Sequence, residues 1–197
     1  MRELILIRHC QSRDAGERYI GRTDTPLTEQ GREKAKAVCS RLASLPCDTF
    51  YSSPALRARE TLRPLLDKDP SLKVVVLPEL QEIDFGKWEG LSFAEIQAQA
   101  PERVAEWAKG ELSFSFPEGE SQKLFWQRVR QVGDQVLAGA EKRVAVVTHG
   151  GVIRYLLCHY LGLPPEKNRS FQIDLGSMTT LTFSEGFAVL KGLNAHE

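Results

Sequence analysis

The sequence predicts a three-layer α/β/α fold: a mostly parallel sheet with helices on both faces and a small cap region. Two observations carry this. Short apolar runs, Leu4–Ile7 and Val144–Val147 foremost, have the length and composition of strands buried on both faces. Between such runs stand segments whose apolar residues recur at helical spacing, so strands and helices alternate along most of the chain.

The first strand is expected over 3–7, followed by a loop over 8–27 rich in charge, Gly and Thr. Thr28 is a suitable N-cap for a helix that places Ala35, Val38, Leu42 and Leu45 on one face and stops at Pro46. A second strand is expected over 48–51. Ser53-Pro54 then reads as N-cap and first helical position, with Pro64 stopping or kinking the helix near Arg63. A third strand covers 73–77 and a loop covers 78–91. Ser92-Phe93-Ala94-Glu95 is a capping box, and Pro101 separates two short helices. Residues 110–120 read as irregular. A longer helix over 121–138 carries Leu124, Phe125, Val129, Val132 and Val136. A buried strand over 143–148 meets a tight turn at His149-Gly150-Gly151, and the next helix buries Ile153, Leu156, Leu157 and Leu161. Tail strands are expected near 170–175, 178–183 and 187–192. Residues 1–197 are expected to form one domain, with 84–125 as a cap or lid insertion.

Lys plus Arg and Asp plus Glu both number 26, so the formal net charge is zero. Nucleic-acid binders usually carry a net basic field, and none is expected as a partner here. Cys10, Cys39, Cys47 and Cys158 form no C-x-x-C pair. His9, His149, His159 and His196 do not complete a zinc spacing. No metal and no cofactor are expected. The N-terminal apolar run is too short for a signal peptide or a membrane span, so the expectation is a cytoplasmic protein with no membrane partner.

Four constellations carry chemistry, each at or just after a strand end, where open α/β sheets bind ligands. Arg8-His9-Cys10-Gln11-Ser12 follows the first strand. A neutral imidazole can attack phosphorus, and the Arg8 fork matches phosphate oxygens. Arg57 lies in the first turn of a helix, where unpaired backbone N–H groups also favour an anion. Around Phe85-Gly86-Lys87-Trp88, a general acid is available from Glu82, Asp84 or Glu89, and chemistry alone does not choose among them. His149 and the Gly150 N–H can donate to a phosphoryl oxygen. Together these describe a cationic pocket for one phosphoryl group, with its own nucleophile.

These motifs, with Gly21-Arg22-Thr23-Asp24-Thr25-Pro26-Leu27-Thr28 and Ser53 through Thr61, make the chain resemble the histidine phosphatase (phosphoglycerate mutase-like) superfamily from Glu3 to about Leu163. The resemblance implies a phosphoric monoester hydrolase with a phosphohistidine at His9. Arg8, Arg57 and His149 would hold the phosphoryl oxygens, and Glu82 would be the acid. Gln11, Ser12, Gly21, Arg22 and Gly150 are expected to join Arg8 and Arg57 in binding substrate. The partner is then a small-molecule phosphomonoester, and a homodimer stays open.

Two departures stand out. Cys10 replaces the family's Gly, leaving two readings: a reactive thiol activated by Arg8 and His9, or a substitution tolerated in a packed corner. Asp14-Ala15-Gly16 stands where many relatives carry an Asn.

The chain has no room for the mutase insertion between the acid and the second His. Phe116-Pro117-Glu118-Gly119-Glu120-Ser121 looks like the segment of the α-ribazole phosphatase branch. Broad-specificity, sugar-phosphate and mutase-like enzymes remain alternatives, with a non-catalytic phosphate-binding module behind them.

Overall fold

A computed structural model describes residues 1–195; His196 lies outside them. Six strands form one mixed sheet: β1 (Arg2–Arg8), β2 (Thr49–Ser52), β3 (Val74–Val76), β4 (Arg143–Thr148), β5 (Met178–Ser184) and β6 (Phe187–Ala195). Their order is β3-β2-β4-β1-β5-β6. The first four are parallel; on the β1 side, β5 pairs antiparallel with β1 and β6 antiparallel with β5.

Strand side chains alternate between faces, and this splits the core in two. Leu4, Leu6, Val144 and Val146 face one side. There they meet α5 (Gln122–Val136) and α6 (Gly150–Tyr160). Ile5, Ile7, Ala145 and Val147 face the other, against α1 (Glu29–Ala43) and α2 (Leu56–Lys68). The architecture is the expected three-layer α/β/α.

The segment between β3 and α5 holds α3 (Phe93–Gln99), α4 (Pro101–Ala108) and single 3-10 turns at Pro78–Leu80 and Gly86–Trp88. Its Trp88, Ile96, Val104, Phe114 and Phe116 join the first core. Ser92 and Glu95 form the capping box read from sequence.

Several boundaries differ from expectation. The first helix ends at Ala43, before Leu45. The α2 helix begins at Leu56 with Ala55 as its cap; Ser53 Oγ accepts from the Ala55 N–H at 3.3 Å and also meets His149 Nε2 at 2.8 Å. Pro64 does not end α2, which continues to Lys68. The lost backbone bond costs about 3 kcal/mol, and Leu62 and Leu65, both buried, contribute about 1.5–3 kcal/mol each in the other direction. Residues 170–175 are not a strand: a 3-10 stretch, Pro165–Ser170, runs into a connection that turns at Gly176 (φ +68°). Leu124 is exposed, because the inward stripe of α5 consists of Gln122, Phe125, Val129, Val132, Gly133 and Val136. Leu161 lies past the end of α6 and is half-buried.

Candidate active site

Parallel pairing in register sets Arg8 opposite Thr148 across β1 and β4. The next residue on each strand is a histidine, and the His9 N–H donates to the Thr148 carbonyl at 2.9 Å. The two imidazoles meet edge to face, with centroids 5.1 Å apart. His9 Nδ1 lies 2.8 Å from the Cys10 carbonyl. A carbonyl only accepts, so Nδ1 carries the proton and Nε2 keeps its lone pair. Burial, then Arg57, then Arg8 hold this imidazole well below its usual pKa. It is therefore held neutral, the state in which an imidazole has a lone pair to offer.

Arg57 sits in the first turn of α2 and is fully buried. Its Nε donates to His9 Nε2 at 3.3 Å and its Nη2 to His149 Nδ1 at 3.2 Å. The rest of the fork is anchored on the carbonyls of Thr23 (2.9 Å) and Gly21 (2.8 Å). Arg8 donates to the Ile173 carbonyl at 2.5 Å, while its Nε is buried without a partner.

His149 caps α6 and is completely buried. Burial is again the chief cause that holds it well below the usual histidine pKa, with His9, Arg57 and Arg8 adding to it. Its Nε2 lies 2.8 Å from Ser53 Oγ. Ser53 was legible in the motif only as a helix cap. Its contact with His149 depends on β2 lying beside β4, which local sequence does not encode.

The three acids separate cleanly. Glu82 is buried, with Oε2 accepting from the Gly151 N–H at 2.9 Å and Oε1 from the Ile83 N–H at 3.0 Å. A Cβ on residue 151 would stand 2.3 Å from Oε1, so only glycine lets this carboxyl reach the start of α6. Asp84 instead accepts from the Gly86 N–H at 2.8 Å and shapes the turn. Glu89 binds the N–H groups of Gly21 (3.0 Å) and Arg22 (2.8 Å) and the Thr23 hydroxyl (2.7 Å), holding the 21–23 loop. Only Glu82 joins Arg8, Gly150 and Gly151 in lining a common cavity.

The loop carrying Glu82 is itself clamped. Arg128 on α5 donates to the carbonyls of Glu79 (2.5 Å) and Gln81 (2.8 Å) and pairs with Glu120 at 2.8 Å. The Thr148 hydroxyl donates to the Leu80 carbonyl at 2.6 Å. Neither residue carried a signal for this in the sequence.

The remaining expected contacts divide. Gly21 is in place: its carbonyl receives Arg57, and a Cβ there would lie 2.0 Å from the Ile83 carbonyl oxygen. Ser12 is buried with an unpartnered hydroxyl. Arg22 is exposed and turns to Gln81 and Glu120 on the rim. Gln11 does not reach the pocket; it lies 3.5 Å from the Thr28 hydroxyl and lines a separate depression with Gln30, Glu33 and Lys34. Cys10 points into the second core and is fully buried. Burial pushes its thiol up to about 11, the reverse of activation by Arg8 and His9.

A family model for the histidine phosphatase superfamily (branch 1) matches residues 4–196. The chain belongs to that superfamily. It is 30% identical over 194 residues to the adenosylcobalamin/alpha-ribazole phosphatase of Salmonella typhimurium, covering 98% of this chain and 96% of the relative. It is 31% identical over 196 residues to phosphoserine phosphatase 1 of Hydrogenobacter thermophilus, covering 98% and 92%. The crystal structure of the alpha-ribazole phosphatase from Shigella flexneri superposes with a TM-score of 0.89 at 30% identity, covering 98% and 96%. This histidine phosphatase is a phosphoric monoester hydrolase. No helix among its described residues is long and apolar enough to cross a membrane.

Proposed function

We propose that the chain hydrolyses small phosphomonoesters through a phosphohistidine on His9, without a metal ion. The observation that carries this reading is the His9 imidazole. It is neutral, its Nδ1–H is fixed on the Cys10 carbonyl, and its Nε2 lone pair faces Arg57 and His149.

An incoming phosphoryl group offers Arg57 and Arg8 its oxygens, and Arg57 then releases the His9 lone pair. Nε2 attacks phosphorus, the phosphorus–oxygen bond to the alcohol breaks, and Glu82 gives its proton to the leaving oxygen. In the second half, the Glu82 carboxylate takes a proton from water, which attacks the phosphohistidine and frees phosphate and His9. The Ser53 hydroxyl can donate to His149 Nε2 as well as accept from it. Once Arg57 has turned from His149 Nδ1 to the phosphoryl oxygens and Ser53 donates, the His149 proton sits on Nδ1, aimed at a phosphoryl oxygen. The pocket's positive charge comes from two arginines, and no three His, Cys, Asp or Glu side chains among the described residues gather as a metal cage.

Within this class, α-ribazole 5′-phosphate is a candidate supported by the relatives' names. A wall of Tyr19, Phe85, Trp107 and Phe116 beside Glu82 suits a flat ring system. The four free thiols suit a reducing cytoplasm. The test is rapid acid-free quenching with labelled substrate in excess EDTA. The expected result is a phosphoenzyme stable in base and labile in acid, absent in His9→Ala. Turnover that needs an added divalent ion, or a label that survives acid, would overturn the proposal.

A further inference from the structure

Two cavities, of about 250 and 280 Å³, open beside Glu82. One runs along the aromatic wall of Tyr19, Phe85, Trp107 and Phe116. The other is bounded by Arg8, Gly150 and the Gly16–Ile20 loop. Arg154 lines both. It lies one helical turn along α6 from Gly150 and Gly151, so its side chain rises beside the helix start that faces the phosphoryl pocket.

Arg8 belongs to the phosphoryl pocket itself, and the two outer guanidinium groups on this rim are committed. Arg18 pairs with Glu95 at 2.9 Å and donates to the Gly90 carbonyl at 2.6 Å. Arg169 donates to the Trp107 and Ala108 carbonyls at 2.7 and 3.1 Å and covers the Trp107 ring. Arg154 has no such partner. Its Nε is buried and unbonded, and among the described residues no carboxylate or carbonyl accepts from it. Glu82 lines the same cavities but is held by the Gly151 and Ile83 N–H groups. Arg8 is close enough to add like-charge repulsion. A half-buried cation beside another cation, with no counter-ion, is unfavourable until an anion arrives.

We infer that Arg154 is the anion-binding group of a second substrate subsite, set for a carboxylate on the alcohol half of the phosphomonoester. One free guanidinium matches one carboxylate in charge and in its two-pronged geometry. The subsite lies next to Glu82, so the carboxylate belongs on a carbon near the scissile oxygen. This rests on the phosphatase reading above and narrows it. An ester of a small hydroxy acid satisfies Arg154, whereas α-ribazole 5′-phosphate, which has no carboxylate, leaves it unpaired.

The test uses a matched pair, 3-phosphoglycerate and glycerol 3-phosphate, which differ by a carboxylate in place of a hydroxymethyl group. Binding is measured by calorimetry on His9→Ala, which holds either ester without consuming it. The carboxylate ester is expected to bind about tenfold tighter or more. Adding Arg154→Gln should remove that preference, and Arg154→Lys, which keeps charge but loses the fork, should restore part of it. The same ratio is expected in kcat/KM of the wild type. Equal binding of the two esters in His9→Ala, or a preference that survives Arg154→Gln in a protein of unchanged melting temperature, overturns the subsite. A wild type that fails to hydrolyse p-nitrophenyl phosphate contradicts the phosphatase reading instead, and the binding comparison still decides Arg154.

Discussion

Glu82 and Gly151 are locked together: the Gly151 N–H holds Oε2 at 2.9 Å, and a single methyl group on residue 151 would stand 2.3 Å from Oε1. Gly151→Ala should therefore displace the carboxyl without touching it chemically. Turnover of an alkyl phosphate is expected to fall by about 10²-fold, within the usual range for a lost general acid. With p-nitrophenyl phosphate, whose leaving group needs no proton, the first turnover, read as the burst of p-nitrophenolate, should slow by less than about tenfold, while the shared hydrolysis of the phosphohistidine slows for both substrates. Equal losses in the first-turnover rate of both substrates would show that Gly151 serves something other than Glu82.

The carboxyl itself gives a sharper version. Glu82→Gln keeps size and hydrogen bonding but can neither donate nor take up the proton, so first-turnover cleavage should lose about 10²–10⁴-fold on an alkyl phosphate and far less on p-nitrophenyl phosphate, whose phosphoenzyme should accumulate because water attack also needs the carboxylate. Asp84→Asn and Glu89→Gln should show no such leaving-group dependence, since those acids hold backbone turns. A selective loss in Asp84→Asn would transfer the role to that residue.

Ser53→Ala should cost kcat about tenfold with little change in KM. It removes one buried hydrogen bond to His149, worth about 1–1.5 kcal/mol. Ser53→Thr, which restores the hydroxyl, should recover most of the rate. If KM rises while kcat holds, Ser53 is shaping substrate binding and not the orientation of His149.

The buried histidines make an acid-side prediction for stability. His9 and His149 are both held well below 6.5, chiefly by burial. In the unfolded chain they take up protons near pH 6.5, while the folded protein keeps them neutral. The unfolded state then binds more protons in this window, so their contribution is intact above about pH 6.5 and is lost as pH falls. Melting temperature should drop between pH 7 and 5.5, with a shallower slope in His149→Gln. The same slope in both proteins would assign the acid loss to other groups.

Cys10 should be inert. Its thiol is fully buried and its pKa is pushed up to about 11, so mild peroxide or iodoacetamide should leave activity unchanged. Cys10→Gly should lower the melting temperature by emptying a packed corner of the second core. Reversible peroxide inhibition that Cys10→Gly abolishes would revive a redox role.

Much of this site could be read from the chain because each main group directly follows a patterned element. His9 and His149 end strands whose apolar runs are unmistakable, and Arg57 opens a helix. What could not be read depends on approach through space. The Ser53 contact with His149 exists only once β2 and β4 are neighbours, and the Arg128 grip on the Glu82 loop only once α5 packs down. Gln11 shares a motif with His9 yet points elsewhere, because the chain turns between them toward Thr28. Pro64 misled for a related reason: local propensity favours a break, and the burial of Leu62 and Leu65 overrides it. The choice of Glu82 over Asp84 and Glu89 needed the Gly151 contact or the family pattern; charge and position alone left it open.

The pairing of β1 with β4 also has a temporal side. The strand bearing His9 leaves the ribosome more than a hundred residues ahead of its partner bearing His149. At typical synthesis rates of about 5–20 residues per second, β1 waits on the order of ten seconds with the groups of the candidate site unassembled. Until β4 slots in between them, nothing joins β1 to β2, and Arg57 has no second imidazole to bridge. A nascent or prematurely ended chain that stops before β4 therefore lacks the assembled site: competence waits for His149 to take its place beside His9.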